Sequence, residues 1–418
     1  MNKWLNRGII VFQFIYESRV APFFATYLWF FWLPLYSWAK NKNICFVVNI
    51  ADGTGQVLPE LDNFFLALHL GEIDKTKKYV WLRVYNAFSK TLVPLYGKKF
   101  YYVRMSNVLY NICLPMLMRW HDITYDAGMS GLHWQLPQQG TWKYPRPWQT
   151  FLYMDQKPDI LSRWRTWYRR RLHSPGYTPL AIADLSPSEE LINFLGDDAA
   201  HIVLLHVKTN IMNATAQVTD PATYIPVIGY LQSRGYKLVF VGREKMPNEF
   251  YDKNILNYSE SAIASFLHDL QLFSLANFSI TGGSGIAWMA DCLRKPVVYL
   301  NSWHLFMPPA GDTCVFAPAL VQNKHTGAFL TFRQQYELYL HTSAAQGDRF
   351  PAERYVPVHA SAEEILNATK ELEILLRHDT SLSSVQKQFS ELLPNTWLEF
   401  AQSRISESFV LRHQDLLQ

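Results

Sequence analysis

The spacing of apolar residues over residues 201–302 predicts alternating strands and helices. Short apolar runs bounded by polar residues or glycine predict buried strands in the segments HIVLLHVK, KLVFVG, FSI and PVVYLN. Between these runs, apolar residues recur at intervals of three and four, as they do on one face of a helix. Such a dense alternation is typical of an α/β fold with a doubly wound, mainly parallel sheet.

Two helices in this region have a clear apolar face. In DPATYIPVIGYLQSRG, Asp220 is the predicted N-cap, Pro221 lies in the first turn and Gly235 ends the helix. The face of this helix is formed by Tyr224, Val227, Ile228 and Leu231. In SAIASFLHDLQLFSLAN, the predicted face is formed by Ile263, Leu267, Leu270 and Ser274. Both helices are expected to pack these faces against the sheet.

The pattern before residue 130 predicts a second α/β region. The segment NICFVVNIADGTGQVLPELDNFFLALHLG predicts a buried strand at residues 44–50, a glycine-rich turn and a helix. That helix has Leu58, Leu61, Phe65 and Leu68 on one face, and a further strand is predicted at residues 79–84. We therefore expect an N-terminal α/β acceptor domain at 43–185 and a C-terminal Rossmann-like donor-nucleotide domain at 186–390.

Residues 1–42 form a hydrophobic segment that is predicted to associate with a membrane. The stretch VAPFFATYLWFFWLPLYSWA, residues 20–39, has no formal charge and is flanked by Arg7, Arg19, Lys40 and Lys42. Its twenty residues are just enough to cross a bilayer. Two prolines and many tryptophan and tyrosine residues favour a position in the interface instead. An in-plane anchor, a single span and a buried core helix all remain open.

A change of pattern between residues 131 and 187 predicts a connection between the two domains. It contains the run RWRTWYRRRLH, in which five arginines are interleaved with aromatic residues. One interpretation is that these arginines bind anionic lipid or a lipid-linked phosphate. The favoured alternative is a helix whose aromatic residues pack inward and whose arginines face solvent. Residues 391–418 are expected to form a C-terminal helix.

Composition narrows the functional class. Of the 418 residues, 49% are hydrophobic and 18% are charged, which excludes a disordered chain. The net charge of +4 is too small over this length to indicate nucleic-acid binding, although it suits phosphorylated ligands or anionic lipid headgroups. The four cysteines lie far apart, so neither a zinc site nor a disulfide framework is indicated. A reducing, cytoplasmic setting fits best.

The segment SITGGSGIAWMA, residues 279–290, places three glycines between a predicted strand and a predicted helix. In a parallel sheet, ligands bind beyond the carboxyl ends of the strands, where this turn lies. The glycines allow close approach of the backbone, and the helix N-terminus favours an anion. We therefore interpret the turn as a diphosphate site. A purely structural turn is the simpler alternative.

A serine hydrolase is the competing interpretation of the same turn. Ser284 would be the nucleophile, although the G-x-S-x-G pattern of a nucleophile elbow lacks its final glycine here. The chain order of such a triad would require Asp312 or Asp348 followed by His359, and no spacing singles these residues out.

Three segments, taken together, resemble a family of bacterial glycosyltransferases encoded among surface-polysaccharide genes. They are LLHVK, DPATYIPVIGYLQSRGYKLVFVGRE and DLQLFSLANFSITGGSGIAWMADCLRKPVVYLN, and the match covers roughly residues 200–302. Weaker similarity occurs at VNIADGTGQVLPELDNFF and ISESFVLRH. The family is distantly similar to fucosyltransferases of the GT-B type. The resemblance therefore implies two Rossmann-like domains behind the hydrophobic N-terminal segment.

The resemblance also implies a binding site for a GDP- or UDP-linked sugar. The family has His-x-Arg after its first strand, and the matching residues here are His206 and Lys208. Lysine keeps the charge but not the bidentate fork of arginine, so an inactive nucleotide-sugar-binding relative is a further alternative. Asp269 is expected near the same edge. The implied donor-binding residues are His206, Lys208, Arg243, Thr281, Gly282, Gly283, Ser284 and Gly285.

Transfer of the sugar requires stabilisation of the leaving diphosphate and a base for the acceptor. The sequence has no D-x-D motif, so we expect a metal-independent enzyme with no cofactor besides its donor substrate. The acceptor is expected to be a glycan or lipid-linked precursor at the inner face of the membrane. Base candidates come from the loops ADGTGQ and RWHDITYDAG: Asp52, His121, Asp122 and Asp126, none of which is distinguished by spacing. Asp52 serves equally well as a helix cap.

Overall fold

The structure is a computed structural model in which the chain divides into two compact units, residues 1–164 and 165–418. The described residues are 29–48, 54–84, 91–92, 95–96, 101–105, 110, 113, 117, 120–128, 160–180, 185–196, 201–209, 215–303, 313–346, 350–378, 381–393 and 403–418. Asp52, Asp312 and Asp348 therefore lie outside the described residues, as do residues 1–28 of the hydrophobic segment.

The first unit contains a sheet of four parallel strands. The strands are β1 (Ile44–Val48), β2 (Lys78–Val84), β3 (Tyr101–Met105) and β4 (Thr124–Asp126), in the order β3-β2-β1-β4. Helix α2 (Thr54–Leu70) connects β1 to β2, as parallel pairing requires. Its predicted face is buried at Leu58, Leu61 and Phe65, and Phe64 lies 5.1 Å from the ring of Tyr79 on β2. The β-α unit expected here is therefore present.

The other face of this sheet is covered by helix α1 (Leu33–Asn41). Ala39 is buried in a cluster with Phe46, Val48 and Leu82, and Trp32, Leu35 and Tyr36 pack against that cluster. These positions repeat every three or four residues, so one face of the segment belongs to the core of the unit. The outer positions Phe30, Leu33 and Trp38 are exposed. The described end of the hydrophobic segment is thus apolar on both faces.

The basic run forms part of helix α3 (Ile160–Leu172), and the division between the units falls within this helix. Trp164, Trp167 and Tyr168 are buried, so the favoured interpretation of inward-packing aromatic residues is confirmed. Two of the arginines are not solvated as expected, because Arg163 and Arg171 pair with acidic residues. Within the described part of the chain, no helix combines the length and the hydropathy that crossing a bilayer requires.

The second unit is built on a sheet of seven strands, all paired in parallel. Its strands are β5 (Ile202–Leu205), β6 (Lys237–Phe240), β7 (Ile255–Asn257), β8 (Phe278–Gly282), β9 (Val297–Leu300), β10 (Cys314–Ala317) and β13 (Arg404–Ile405). Their order is β13-β10-β9-β8-β5-β6-β7. A separate antiparallel pair is formed by β11 (Leu320–Asn323) and β12 (Tyr355–Val358). The predicted α/β class, with two units on parallel sheets, is confirmed.

Local sequence determines where the helices of this unit begin. Serine side chains accept a hydrogen bond from the first turn of α4 (Glu189–Leu195), α6 (Phe266–Leu275), α9 (Ala362–Arg377) and α10 (Ser384–Leu392). Asp220 caps a 3-10 turn, Pro221–Tyr224, that leads into α5 (Ile225–Ser233). The predicted face of α5 is buried as expected. The remaining helices are α7 (Gly285–Cys292), α8 (Phe332–Gln346) and α11 (Glu407–Arg412).

Two predicted features of this unit differ in the structure. Helix α6 begins only after its cap at Ser265, so Ile263 precedes the helix, and the buried apolar face is formed by Phe266, Leu270 and Phe273. The predicted C-terminal helix at 391–418 is replaced, among residues 403–418, by β13, α11 and a 3-10 turn. The physical reason is that β13 pairs with β10, and Ser406 then caps a new helix by accepting from the N–H of Phe409.

Candidate functional site

The order of the strands in the second unit creates a switch point between β5 and β8. The chain runs from β5 outward through β6 to β7, and then returns to the other side of β5 for β8, β9 and β10. In open parallel sheets, such a point leaves a crevice at the carboxyl ends of the two adjacent strands. All eight predicted donor-binding residues follow or end strands at this edge, on β5, β6 and β8.

The glycine turn joins β8 to α7 directly. Gly282 ends the strand, Ser284 is the N-cap residue of α7, and the N–H of Ser284 bonds to the carbonyl of Gly282 at 2.7 Å. The side chain of Ser284 makes no capping bond to the helix. The first turn of α7 therefore retains N–H groups without partners in the helix, at the positive end of the helix dipole. Such a terminus favours an anion.

His206 connects three elements at this edge. Its Nδ1 lies 3.4 Å from Oγ of Ser284, the hydroxyl that makes no capping bond to α7. Gly242, after β6, has a φ of +122°, and a methyl group placed on it would lie 2.7 Å from Cδ2 of His206 and 3.4 Å from Cδ1 of Ile286. Glycine is thus required at position 242 on two grounds, backbone conformation and close packing.

The buried environment keeps the imidazole of His206 neutral. Burial lowers its pKa to about 4, and the positive charge of Lys208 contributes to the same shift. At neutral pH the ring is therefore an uncharged donor and acceptor. It orients Ser284 and adds no charge to the site.

Lys208 is held by a residue that no sequence pattern identified. Its Nζ donates to Oε1 of Gln217 at 2.8 Å, and its carbonyl accepts from the N–H of Thr219 at 3.0 Å. Partial burial lowers the pKa of the Lys208 amine, and the nearby Glu244 opposes that shift. Gln217 lies in a 3-10 turn without a recognisable motif, so its proximity to Lys208 follows only from the folded loop.

Arg243 extends from the end of β6 toward solvent while one side of its guanidinium is bound. Its Nη2 lies 3.1 Å from Oδ2 of Asp269, and the exposed fractions of the two side chains are 56% and 8%. Burial raises the pKa of Asp269 to about 6, and the charge of Arg243 opposes that rise. Asp269 thus lies near this edge as expected, and it also forms a direct ion pair with Arg243.

Thr281 provides a further polar group at the end of β8. The residue is fully buried, and no hydrogen-bond partner for its Oγ1 is found among the described residues. Buried hydroxyl groups are normally satisfied, so an unpaired one beside a glycine turn is compatible with a ligand or water as partner. No group of three or more potential metal-ligating side chains occurs within the described ranges.

The base candidates of the first unit lie at opposite edges of its sheet. Asp126 ends β4, at the carboxyl edge, where its Oδ2 pairs with Nη2 of Arg163 at 3.1 Å and its Oδ1 accepts from the N–H of Gly128. His121 and Asp122 precede β4 and therefore lie at the amino edge. Asp122 accepts from the hydroxyl of Tyr36 at 2.8 Å. Ligands of parallel sheets bind at the carboxyl edge, which favours Asp126 over His121.

The triad suggested by chain order is not assembled around Ser284. The ring of His359 faces the carbonyl of Ala216, with its Nε2 at 3.0 Å. The histidine beside Ser284 is His206 instead, and its other ring edge packs against Gly242. Among the described residues, no carboxylate orients His206 as a triad would require.

No protein-family model matches the chain, and no curated protein matches it. Solved structures with a similar course of the backbone include the ADP-heptose LPS heptosyltransferase II of E. coli, with 11% identity and a TM-score of 0.46 over 80% of this chain and 100% of that one. A glycosyl transferase family 9 protein from Veillonella parvula has 12% identity and a TM-score of 0.45 over 80% and 97% of the two chains.

A third structure is E. coli heptosyltransferase WaaC with ADP-2-deoxy-2-fluoro heptose. It has 14% identity and a TM-score of 0.36 over 61% of this chain and 87% of that one.

Proposed function

We propose that the protein is a glycosyltransferase that moves a sugar from a nucleoside diphosphate sugar, GDP- or UDP-linked, to a surface glycan or lipid-linked precursor. The observation that carries this proposal is the convergence of Lys208, Arg243 and the glycine turn at the switch point of the second unit. Two cations and a helix N-terminus at one sheet edge are suited to a diphosphate. The family resemblance of residues 200–302 points to the same class of donor.

In this proposal the protein itself stabilises the leaving diphosphate. Breaking the bond between sugar and diphosphate places negative charge on the departing oxygen, and preorganised donors lower the energy of that state. Lys208, Arg243 and the N–H groups of the first turn of α7 are the proposed donors. His206 remains neutral and holds Ser284 toward the turn. Because these groups supply the charge, we propose that no metal ion is needed.

The acceptor base is proposed to come from the first unit. Asp52, His121 and Asp126 are the candidates, and the carboxyl-edge position of Asp126 supports this residue most. Its ion pair with Arg163 would keep the carboxylate oriented while one oxygen accepts the proton of the acceptor hydroxyl. An Asp126→Asn substitution is then expected to abolish transfer and to leave donor binding unchanged.

A membrane surface is the proposed setting of the acceptor. Phe30, Leu33 and Trp38 are exposed on the outer face of the α1 region, and Lys40 and Lys42 follow at its end. Exposed apolar residues beside cations are typical of helices that lie in the interface of anionic membranes. We therefore propose peripheral attachment at the cytoplasmic face of the membrane.

The first experiment is a thermal-shift panel with GDP, UDP, CDP, dTDP and ADP. A ligand that binds only the folded state raises the Tm, so one diphosphate is expected to give a shift that chelation by EDTA leaves intact. Lys208→Ala and Arg243→Ala should each reduce the shift. Lys253→Ala, at a partly exposed lysine of the same unit, is a matched control that keeps it. Absence of a shift with every nucleotide, in the presence and absence of manganese, would overturn the proposal.

The contact between Ser284 and His206 keeps a serine hydrolase as second candidate. A hydrolase predicts covalent labelling of Ser284 by a fluorophosphonate and no response in the nucleotide panel. A glycosyltransferase predicts the reverse result for both measurements. An inactive relative would bind a nucleotide diphosphate and transfer no sugar to any acceptor.

A further inference from the structure

Gln217 is the residue of this edge that neither sequence nor resemblance assigns to any role. Its Oε1 accepts from Nζ of Lys208 at 2.8 Å. A lysine ammonium only donates, so the carbonyl side of the amide must face Lys208 and the NH2 group must point the other way. The orientation of the Gln217 carboxamide is therefore determined by its partner.

The NH2 group of Gln217 lies over the glycine turn. A methyl group placed on Gly283 would be 3.1 Å from Nε2 of Gln217 and 3.4 Å from the hydroxyl of Tyr299. The absence of a side chain at position 283 thus leaves room for this amide beside the N-terminus of α7. Among the described residues, no acceptor bonds to the Gln217 Nε2. A half-buried amide donor without a partner faces the place where an anion is expected.

We infer that Gln217 is a donor-binding residue whose side-chain NH2 contacts the diphosphate at the glycine turn, while its carbonyl holds Lys208 in place. This inference rests on the proposed function, because it specifies one more contact to the same diphosphate. In the complex, the amide NH2 of Gln217 donates hydrogen bonds to phosphate oxygens. The Lys208 ammonium keeps its hydrogen bond to Oε1 of Gln217. The two groups then act on the ligand as one unit.

Two substitutions of similar size separate direct contact from a supporting role. Gln217→Glu retains an oxygen for Lys208 but removes the NH2 and places a negative charge against the diphosphate. We expect it to weaken binding of the nucleoside diphosphate identified in the panel by about tenfold or more. Gln217→Met removes the amide without adding charge, and we expect a smaller loss of roughly three- to tenfold. Gln217 is partly exposed, so neither variant should affect folding, which the Tm without ligand checks.

The decisive measurement is calorimetric titration of the same nucleoside diphosphate, and of inorganic pyrophosphate, in a Lys208→Met background. If Gln217 contacts the ligand, Gln217→Met still weakens binding there by about threefold or more. If Gln217 acts only by holding Lys208, the second substitution has no effect and the inference is wrong while the proposed function stands. A wild-type protein that binds neither probe would overturn both.

Discussion

At the scale of single residues, burial moves the pKa values of His206 and Asp269 in opposite directions. Burial lowers the pKa of His206 to about 4 and raises that of Asp269 to about 6, so both environments disfavour charge. The imidazole is thereby kept neutral. Asp269 is nevertheless ionised at neutral pH, beside Arg243. The buried carboxylate of Asp269 orients the exposed guanidinium of Arg243. Burial of this negative charge lowers the free energy of unfolding.

This cost predicts a pH-dependent effect of Asp269→Asn on stability. The folded pKa of about 6 exceeds the unfolded value of about 3.9, so the folded state binds the proton more tightly. The stability that Asp269 contributes is thus fully present below pH 4 and is lost as pH rises through 6. Relative to wild type, the variant should therefore gain roughly 2 to 3 kcal/mol between pH 4 and pH 8.

Calorimetric unfolding of wild type and variant at pH 4, 6 and 8 measures this difference. The exposed Asp252→Asn in the same unit is the matched control and should show no such trend. A stability difference for Asp269→Asn that stays constant from pH 4 to pH 8 would contradict the assigned burial of its charge.

At the scale of elements, α7 carries the site at one end and is anchored at the other. Asp291, near its C-terminus, pairs with Arg171 of α3 at 2.9 Å, and both side chains are almost fully buried. Trp288 of α7 lies 6.0 Å from Trp167 of α3. The basic run therefore has a structural role that its composition does not indicate, because its Arg171 neutralises the buried carboxylate of Asp291 at the far end of α7 from the glycine turn.

Removing that arginine should be strongly destabilising. Arg171→Met leaves the carboxylate of Asp291 buried without its cation, for which we expect a loss of about 3 to 5 kcal/mol in chemical unfolding. Arg169→Met, on the exposed side of the same helix, should change stability by less than about 0.5 kcal/mol. Arg171→Met combined with Asp291→Leu should recover much of the loss, because no charge then remains buried. Equal effects of Arg171→Met and Arg169→Met would contradict the role of the ion pair.

At the scale of the whole molecule, the proposed function combines a nucleotide site in the second unit with a membrane-facing segment in the first. Helix α1 already buries one apolar face in the core of its unit. Leu33 and Trp38 of this helix, and Phe30 in the 3-10 turn before it, each keep a large exposed apolar surface. Contact with another apolar phase would bury that surface further. A lipid surface is the proposed covering.

Co-sedimentation with phosphatidylglycerol-containing vesicles tests this attachment. Combined Phe30→Ser, Leu33→Ser and Trp38→Ser substitutions should lower the vesicle affinity by about tenfold or more, because three large apolar side chains no longer insert. The pair Ile374→Ser and Leu376→Ser removes similarly exposed apolar residues from α9 and should leave binding unchanged. Vesicle binding that is equal in all three proteins would rule out α1 as the attachment site.

Much of the fold was accessible from the sequence because its signals are local. Strand β6, the capping of the turn at Pro221–Tyr224 and the buried face of α5 all follow from residues fewer than about ten positions apart. The glycine turn was also placed correctly between a strand and a helix. By contrast, the start of α6 was misplaced, since the Ser265 cap is a stronger signal than the apolar spacing that suggested Ile263.

The sequence by itself determined the α/β class, the parallel strands and the sheet edge at which the proposed ligand site lies. Only the tertiary structure decided which side chains meet there: His206 with Ser284, Lys208 with Gln217 and Arg243 with Asp269. The physical reason is that helical and strand periodicity are properties of neighbouring residues, whereas these contacts depend on the order in which strands join the sheet. Loop closure then brings together polar groups whose separation along the chain carries no signal.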